Sequence, residues 1–405
     1  MENDDVVKSV KEIIKNVKQN GDRSLFDYTK RFDGVELSEE TIEVKNHEIG
    51  EAYSLIDKKL LDIIRKARQN IEDFHSKQKE NSWISTEKEG VILGQIIRPL
   101  EVIGVYVPGG TAPLISSVLM NVIPARVAGV NKVIMATPPG KEGKINPAIL
   151  VAAREAGVSN IYKIGGAQAI SALAFGTESV QKVDKIFGPG NIYVTTAKRL
   201  VYGYCDIDMF AGPSEIVVVA DDSANPEYVA ADLLSQAEHD ALASSILITT
   251  SRTLAIEVQR EIKRQYSYLD RKDIIKKSLY DYGAIIVAED IEKAVYLVNT
   301  IAPEHLELCI DEPFNILGSI KNAGAIFLGH YSSEPVGDYW AGPSHVLPTG
   351  GTARYFSCLN IGDFMKKSSI ISYTKKALHE SQDDIVNFAL AEGLTAHANA
   401  IKVRT

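Results

Sequence analysis

The sequence Glu101-Val102-Ile103-Gly104-Val105-Tyr106-Val107-Pro108-Gly109-Gly110 begins a regular alternation of strand-like and helix-like segments. A short run rich in β-branched residues that ends in Pro-Gly-Gly predicts a buried strand followed by a tight loop. Three more strand candidates follow, at residues 132–137, 160–164 and 184–187, each followed by a segment of helical length. This alternation predicts a parallel sheet with right-handed crossovers.

The same rhythm restarts further along the chain, with strand candidates at 215–220, 245–250, 284–288 and 325–328. Upstream, residues 6–32 and 49–77 have helical periodicity. From residue 360 the pattern changes: Ser381 and Asp384 resemble a capping box, and Gly393 ends a predicted helix at 383–392. We therefore predict an α/β protein with two Rossmann-like lobes built on parallel sheets and a small helical C-terminal tail domain.

Composition excludes several classes of protein. The chain has 405 residues and a net charge of −9, which disfavours a nucleic-acid surface because such a surface needs a basic stripe. Its three cysteines lack CxxC spacing, which argues against a disulfide framework and against a thiolate metal site. The acidic start lacks the basic and apolar regions of a secretory signal, and no apolar run is long enough to span a membrane. We expect a cytoplasmic protein.

Glycine-rich loops follow three strands of the first predicted sheet. Residues 105–110 follow the first strand, Gly165-Gly166-Ala167-Gln168 the third, and Gly188-Pro189-Gly190-Asn191 the fourth. Any one of these loops is explained by a tight turn, whereas three on one sheet edge favour a phosphate-containing ligand, because glycine lets backbone approach a phosphate. The dinucleotide fingerprint G-x-G-x-x-G is absent.

Acids and histidines cluster in four other stretches. Gln236 and His239 are three residues apart at the end of a predicted helix, so both side chains can converge; a polar helix end is the simpler alternative. Glu304-His305 follows a proline at a strand entrance, where the pair can pass protons or form a surface charge pair. Residues 337–345 place Asp338 and His345 in a glycine-rich loop, and residues 392–397 place Glu392 and His397 across a helix end.

Taken together, these stretches resemble the histidinol dehydrogenase family along nearly the whole chain. The closest stretches are residues 105–110, 188–191, 211–215, 235–240, 302–306, 337–339 and 392–397. The resemblance implies that Gln236, His239, Asp338 and His397 are zinc ligands and that Glu304 and His305 form an acid/base pair. It implies NAD contacts at Tyr106, Gln168 and Asn191. It implies substrate contacts at Ser214, Gln236, His239, His305, Asp338, Glu392 and His397. Phe210 and Ser344 depart from the family pattern, which usually has proline and asparagine there.

The resemblance also implies the reaction. We expect two NAD-dependent oxidations, of L-histidinol through L-histidinal to L-histidine, the final step of histidine biosynthesis, with one Zn²⁺ per subunit positioning the substrate. Two imidazoles, a carboxylate and an amide oxygen form a nitrogen and oxygen ligand set that suits zinc. We expect residues 1–105 with 214–359 to form the lobe with the catalytic and metal residues, 106–213 the NAD-binding lobe, and 360–405 the tail. We expect a homodimer with shared active sites.

Other functions are compatible with parts of the same sequence. An aldehyde dehydrogenase relative would need a cysteine nucleophile, for which Cys309 is the candidate near the motifs, but no feature that lowers a thiol pKa accompanies it. A zinc hydrolase would use His239, His397 and Asp338 with Glu304 activating water, and it leaves the glycine loops unexplained. A binding or scaffold protein without activity would have no need for metal ligands, acids and bases together.

Overall fold

The computed structural model describes residues 4–109, 113–209 and 212–404. Gly110, Phe210 and Ala211, which belong to stretches quoted above, lie outside the described residues. The chain divides into two compact units, the first formed by Met1–Gln78 and Glu101–Asp363 and the second by Lys79–Leu100 and Phe364–Thr405. No helix in the described parts is long and apolar enough to cross a membrane.

The strands, in chain order, are β1 (Trp83–Ser85), β2 (Val91–Pro99), β3 (Val102–Tyr106), β4 (Lys132–Ala136), β5 (Asn160–Tyr162), β6 (Lys185–Phe187), β7 (Asp206–Ile207), β8 (Glu215–Ala220), β9 (Ser244–Thr249), β10 (Ala284–Val287), β11 (His305–Cys309), β12 (Ala325–Leu328) and β13 (Met365–Tyr373). The helices are α1 (Asp4–Asn20), α2 (Asp22–Asp33), α3 (Asn46–Leu55), α4 (Lys58–Ser76), α5 (Ile115–Ala128), α6 (Pro147–Ala156), α7 (Gly166–Phe175), α8 (Ile192–Val201), α9 (Pro226–Ala237), α10 (Arg252–Tyr266), α11 (Lys272–Tyr282), α12 (Ile291–Ile301), α13 (Pro313–Leu317), α14 (Glu334–Tyr339), α15 (Lys375–Glu380), α16 (Gln382–Ala391) and α17 (Thr395–Lys402).

The first unit contains two five-stranded sheets. One has the order β5-β4-β3-β6-β7 and the other the order β10-β9-β8-β11-β12. All pairings within both sheets are parallel. The predicted α/β class with two Rossmann-like parallel sheets is therefore confirmed, and the bounds of the predicted strands agree with the observed ones to within two residues.

Both sheets are covered on two faces, which explains their continuous apolar runs. In β8, Ile216 and Val218 pack into a cluster with α9 and α10, while Val217 and Val219 pack on the opposite side with α12. Around the other sheet, α1, α7 and α8 contribute to a single buried cluster. The core thus fixes the ends of the central strands, where the polar loops begin.

The second unit has an antiparallel sheet of order β1-β2-β13 and the helices α15, α16 and α17. The predicted tail from residue 360 is therefore not only helical, and residues 79–100, which the prediction assigns to the first lobe, group with it because β2 and β13 pair along nine residues. The predicted bounds of the lobes within the first unit stay a prediction.

The predicted capping box at Ser381 is wrong. Ser381 precedes α16, but its side chain makes no cap, because its Oγ donates to the carbonyl of Ala377 at 3.0 Å. The end of the helix is as predicted, with Gly393 in the left-handed region at φ 73°. The predicted helix at 49–77 is two helices, divided at Asp57, which caps α4 through the N–H of Lys59.

Candidate active site

Glu304 and His305 lie at the amino end of β11, between β8 and β12 in the second parallel sheet. Both are buried, with 5% and 4% of their surface exposed. The N–H of Glu215, the first residue of β8, donates to Glu304 Oε2 at 2.9 Å. The carbonyl of the same residue accepts from His305 Nδ1 at 3.1 Å. One residue of the neighbouring strand therefore orients both side chains.

This contact determines which imidazole nitrogen of His305 can act as a base. A carbonyl oxygen only accepts, so Nδ1 carries a proton and the lone pair lies on Nε2. His305 Nε2 is buried without a hydrogen-bond partner among the described residues, and it lies 3.9 Å from Asp338 Oδ1. The atom able to accept a proton thus faces the other polar groups of the site.

Burial shifts the pKa values of this pair in opposite directions. It raises the pKa of Glu304 to about 8, with the nearby Glu215 and Glu334 carboxylates adding to the effect. It lowers the pKa of His305 below its ordinary value. Near neutral pH, the His305 imidazole is therefore neutral and able to accept a proton. The pKa of Glu304 lies close to that pH, so its carboxyl group can release a proton as well as accept one.

Three of the predicted metal donors, Gln236, His239 and Asp338, belong to the first unit. Gln236, in the last turn of α9, is fully buried, and neither atom of its side-chain amide has a hydrogen-bond partner in the part of the chain that the structure describes. Buried amides are normally satisfied, so these atoms point to a ligand. Ligand atoms of His239, Glu334 and Asp338 all lie within 4.8 Å of one another. A set of nitrogen and oxygen donors without thiolate fits zinc.

Asp338 lies on the short helix α14, not in a loop as predicted. Burial and the neighbouring Glu334 carboxylate raise the pKa of Asp338 to about 9. Carboxylates this close repel each other when both are ionised, and a divalent cation can replace the proton that relieves the repulsion. The electrostatics of the cluster therefore favour a cation.

Glu334 is a residue that the sequence analysis missed. Its Oε1 lies 3.8 Å from His239 Nε2, and its Oε2 accepts from Ser235 Oγ at 3.0 Å. A signal was present, because Glu334 precedes Pro335 at a helix start and stands four residues before Asp338, which places both carboxylates on one helix face.

Two further residues support the site: His345, which the sequence analysis names without assigning a role, and Glu307, which it misses. His345 Nδ1 lies 4.0 Å from Asp338 Oδ1, and burial lowers the pKa of His345 to about 4. Glu307, buried within β11, accepts the N–H of Glu334 through Oε1 at 2.7 Å. That hydrogen bond fixes the first turn of α14, which carries both Glu334 and Asp338.

Of the remaining predicted site residues, Ser214 lies beside Glu304, whereas Glu392 and His397 belong to the second unit. The Ser214 side chain hydrogen-bonds Glu304. Glu392 follows the last turn of α16, His397 lies in α17, and both are exposed and belong to the second unit. Within the first unit, the structure brings together Ser214, Glu304, His305, Asp338 and His239.

The predicted cofactor residues lie at the carboxyl edge of the other sheet. Tyr106 ends β3, and its hydroxyl accepts the N–H of Gly166 at 3.1 Å. Gln168, in the first turn of α7, is 1% exposed, and its Oε1 has no partner within the described ranges. Asn191 caps α8 by accepting the N–H groups of Tyr193 and Val194.

Bare backbone lines this edge. A Cβ on Gly165 would lie 2.5 Å from Pro138 Cβ, and one on Gly188 would lie 2.0 Å from the Tyr106 carbonyl oxygen, so larger residues do not fit. A glycine-lined carboxyl edge of a parallel sheet with an unpartnered buried amide oxygen fits a dinucleotide. Glu304 and His305, by contrast, lie at the amino edge of their sheet.

Two parallel sheets, one with a glycine-lined edge and one with a buried Glu–His pair beside a cluster of histidine and carboxylate side chains, fit an α/β oxidoreductase of the dehydrogenase class. The family model described as histidinol dehydrogenase matches residues 1–405. The chain is 59% identical to a histidinol dehydrogenase of Caldanaerobacter subterraneus subsp. tengcongensis, over 100% of this chain and 94% of the relative. It is 57% identical to that of Clostridium acetobutylicum, over 100% and 93%. The chain belongs to the histidinol dehydrogenase family.

Solved structures agree with this assignment. The crystal structure of histidinol dehydrogenase from Elizabethkingia anophelis matches with a TM-score of 0.96 and 44% identity, over 100% of this chain and 93% of that one. A probable aldehyde dehydrogenase from Listeria monocytogenes matches with a TM-score of 0.51 and 11% identity, over 92% and 98%. The second likeness shows a related fold alone.

Proposed function

We propose that this enzyme oxidises L-histidinol through L-histidinal to L-histidine, the last step of histidine biosynthesis, with NAD as oxidant and Zn²⁺ as a bound metal. The observation that carries the proposal is the buried, unpartnered Nε2 of His305, which faces Asp338, and Asp338 in turn lies in a cluster with the more exposed His239. The family membership of the whole chain supports the same reaction.

Gln236, His239 and Asp338, with His397, are the residues that we propose hold zinc. The unpartnered amide of Gln236 and the close approach of His239 to Asp338 support this set. When bound, zinc would complete its coordination with the imidazole and amine nitrogens of the substrate and thereby orient the alcohol. Glu334 places negative charge beside His239, where an ammonium or imidazole group of the substrate can bind, and we propose that Glu392 has the same role.

His305 serves as the base in the first oxidation. Its Nε2 accepts the hydroxyl proton of the alcohol, while its Nδ1–H remains bonded to the Glu215 carbonyl, which stabilises the imidazolium that forms. NAD, when bound, accepts a hydride in each of the two oxidations. Because His305 is buried, the proton passes in a site from which bulk water is largely excluded.

Glu304 acts between the two oxidations. Its carboxylate takes a proton from a water that adds to the aldehyde, and the resulting hydrate is the substrate of the second oxidation. The Glu215 N–H, which donates to Oε2, and the Ser214 side chain orient the carboxylate. A pKa raised by burial to about 8 makes Glu304 a stronger base than an exposed acid.

Tyr106, Gln168 and Asn191 form the proposed NAD site. The support is their common position at the carboxyl edge of the first sheet, the unpartnered Oε1 of Gln168 and the absence of side chains at Gly165 and Gly188. Positions at the ends of β3 and after β5 and β6 are those at which parallel sheets bind nucleotides.

We further propose a homodimer in which Glu392 and His397 of the partner subunit complete each active site. Both residues are exposed in the chain as described. The second unit also exposes large apolar side chains, among them Ile84, Ile371 and Phe388 at 64%, 73% and 72%. So small a unit with so much exposed apolar surface is expected to dock on another chain.

The alternatives receive less support. Burial raises the pKa of the Cys309 thiol above its ordinary range, which makes it a poor nucleophile and disfavours an aldehyde dehydrogenase mechanism. A zinc hydrolase leaves the glycine-lined edge without a role. The test is NADH absorbance after mixing enzyme, histidinol and NAD: two NADH per histidinol consumed are expected, and hydrolysis without NADH would overturn the proposal.

A further inference from the structure

A buried ion pair hydrogen-bonds the backbone N–H and C=O of Gly188. Lys198, on α8, pairs with Asp208, which follows β7, and their side chains are 5% and 2% exposed. Lys198 Nζ donates to the Gly188 carbonyl at 2.9 Å, and the Gly188 N–H donates to Asp208 Oδ2 at 2.7 Å. Opposite charges thus hold both polar backbone groups of one residue.

Gly188 begins the loop 188–191 of the proposed cofactor site. Its φ is 105°, a backbone conformation that side chains other than hydrogen disfavour, and its backbone lies against the carbonyl of Tyr106. The loop ends at Asn191, which caps α8. Because Lys198 lies further along α8, the ion pair ties this helix back to the start of its own loop.

Asp208 also fixes the chain that leads towards the catalytic sheet. Its Oδ1 accepts the N–H of Met209 at 2.6 Å in addition to the ammonium of Lys198. Further along, the N–H of Gly212 donates to Thr349 Oγ1 at 2.6 Å, and β8 begins at Glu215, which orients Glu304 and His305. The ion pair therefore contacts both loop 188–191, at Gly188, and the segment that precedes β8, at Met209.

A lysine near a glycine-rich loop often binds phosphate directly. Here the ammonium of Lys198 is enclosed and donates to Gly188 and Asp208, so its hydrogen bonds hold the loop. Buried ion pairs contribute little net stability compared with apolar side chains, and their best attested use is to specify one geometry. The arrangement fits a positioning role.

We propose that Lys198 and Asp208 are positioning residues that hold loop 188–191 in the conformation that binds the dinucleotide; the inference rests on the proposed NAD-dependent function. In this role neither side chain contacts the cofactor. Loss of the pair should therefore weaken NAD binding while the chemistry and the metal donors of the other sheet remain intact.

The test is Lys198→Met in the full-length enzyme, with steady-state kinetics and direct titration of NAD. The Michaelis constant for NAD should increase tenfold or more, with kcat, the Michaelis constant for histidinol and zinc content each within about twofold of wild type. Lys198→Arg, which keeps a cation, should restore much of the NAD affinity. The matched control is Lys185→Met, which removes another Lys–Asp pair between β6 and β7, with Asp206 at 3.1 Å, and should leave NAD binding unchanged.

The double variant Lys198→Met with Asp208→Asn keeps the test valid if the single variant fails to fold, because it leaves no lone buried charge. It too should bind NAD at least tenfold more weakly. NAD binding equal to wild type in a folded single or double variant would overturn the inference. A wild-type enzyme that neither binds nor reduces NAD would instead overturn the proposed function, so the two failures are distinguishable.

Discussion

His305 Nδ1 lies 3.1 Å from the carbonyl oxygen of Glu215, on the neighbouring strand of a parallel sheet. The register pairs His305 with Ile216, so Glu215, the residue before Ile216, lies level with the amino end of β11. The same residue donates its N–H to Glu304. The backbone of one residue of β8 thus sets the tautomer of His305 and the orientation of Glu304, and the two side chains can be tested separately.

Replacing His305 with Asn should slow oxidation of histidinol by about a hundredfold or more, because the base at Nε2 is lost. Steady-state rates with saturating histidinol and NAD measure the effect. His330→Asn is the control, because His330 contacts Ser223 at the opposite edge of the sheet. Near-normal histidinol turnover in His305→Asn, with zinc and NAD bound, would show that another group is the base.

The pH dependence of histidinal oxidation should report Glu304. Only the ionised carboxylate can take a proton from water, and since burial raises its pKa to about 8, the rate should increase as pH rises towards that value. A bound cation favours the carboxylate and moves the midpoint below 8. The lowered pKa of His305 adds no inflection above its ordinary value.

Glu304→Gln should therefore oxidise supplied histidinal slowly, and its rate should vary little between about pH 6 and pH 9. Stopped-flow or steady-state NADH production from histidinal gives the profile. An unchanged pH profile in Glu304→Gln would assign the titration to another group. Full histidinal turnover in this variant would remove Glu304 from the hydration step.

Sequence patterns predicted the two parallel sheets because buried strands of this kind are continuous apolar runs, such as β8 at Glu215–Ala220. They missed β13, whose nine residues are mostly exposed and whose partner β2 is distant in sequence. The roles of Glu334 and His345 depend on α14 packing beside β11, through contacts such as Glu334 with Glu307. Local patterns do not contain such long-range contacts.

Zinc content should fall sharply in His239→Ala and in His397→Ala, because loss of one ligand of a mixed nitrogen and oxygen set weakens binding by more than about tenfold. Chelation should abolish activity of the wild type, and added zinc should restore it. Metal analysis after dialysis measures occupancy, with His330→Ala as control. Undiminished zinc in both ligand variants would disprove the proposed set.

Asn191 has two roles that different substitutions separate. Ala removes both the cap of α8 and the proposed NAD contact, so Asn191→Ala should lower stability by about 1 kcal/mol and raise the Michaelis constant for NAD. Ser can retain the cap, so Asn191→Ser should be near wild type in stability and still bind NAD weakly. If Ser restored NAD affinity as well, Asn191 would act only as a cap.

The last prediction concerns the shared active site. If each site combines Gln236, His239 and Asp338 of one chain with His397 of the partner subunit, two inactive variants should complement each other. Mixing His239→Ala with His397→Ala under subunit exchange gives heterodimers with one intact and one doubly damaged site, and hence at most about half the wild-type activity per heterodimer. Mixing His239→Ala with Asp338→Asn should restore nothing, because each site then keeps one defect. If the mixture of His239→Ala with His397→Ala stays inactive although mass spectrometry confirms heterodimers, each metal site is built within a single chain.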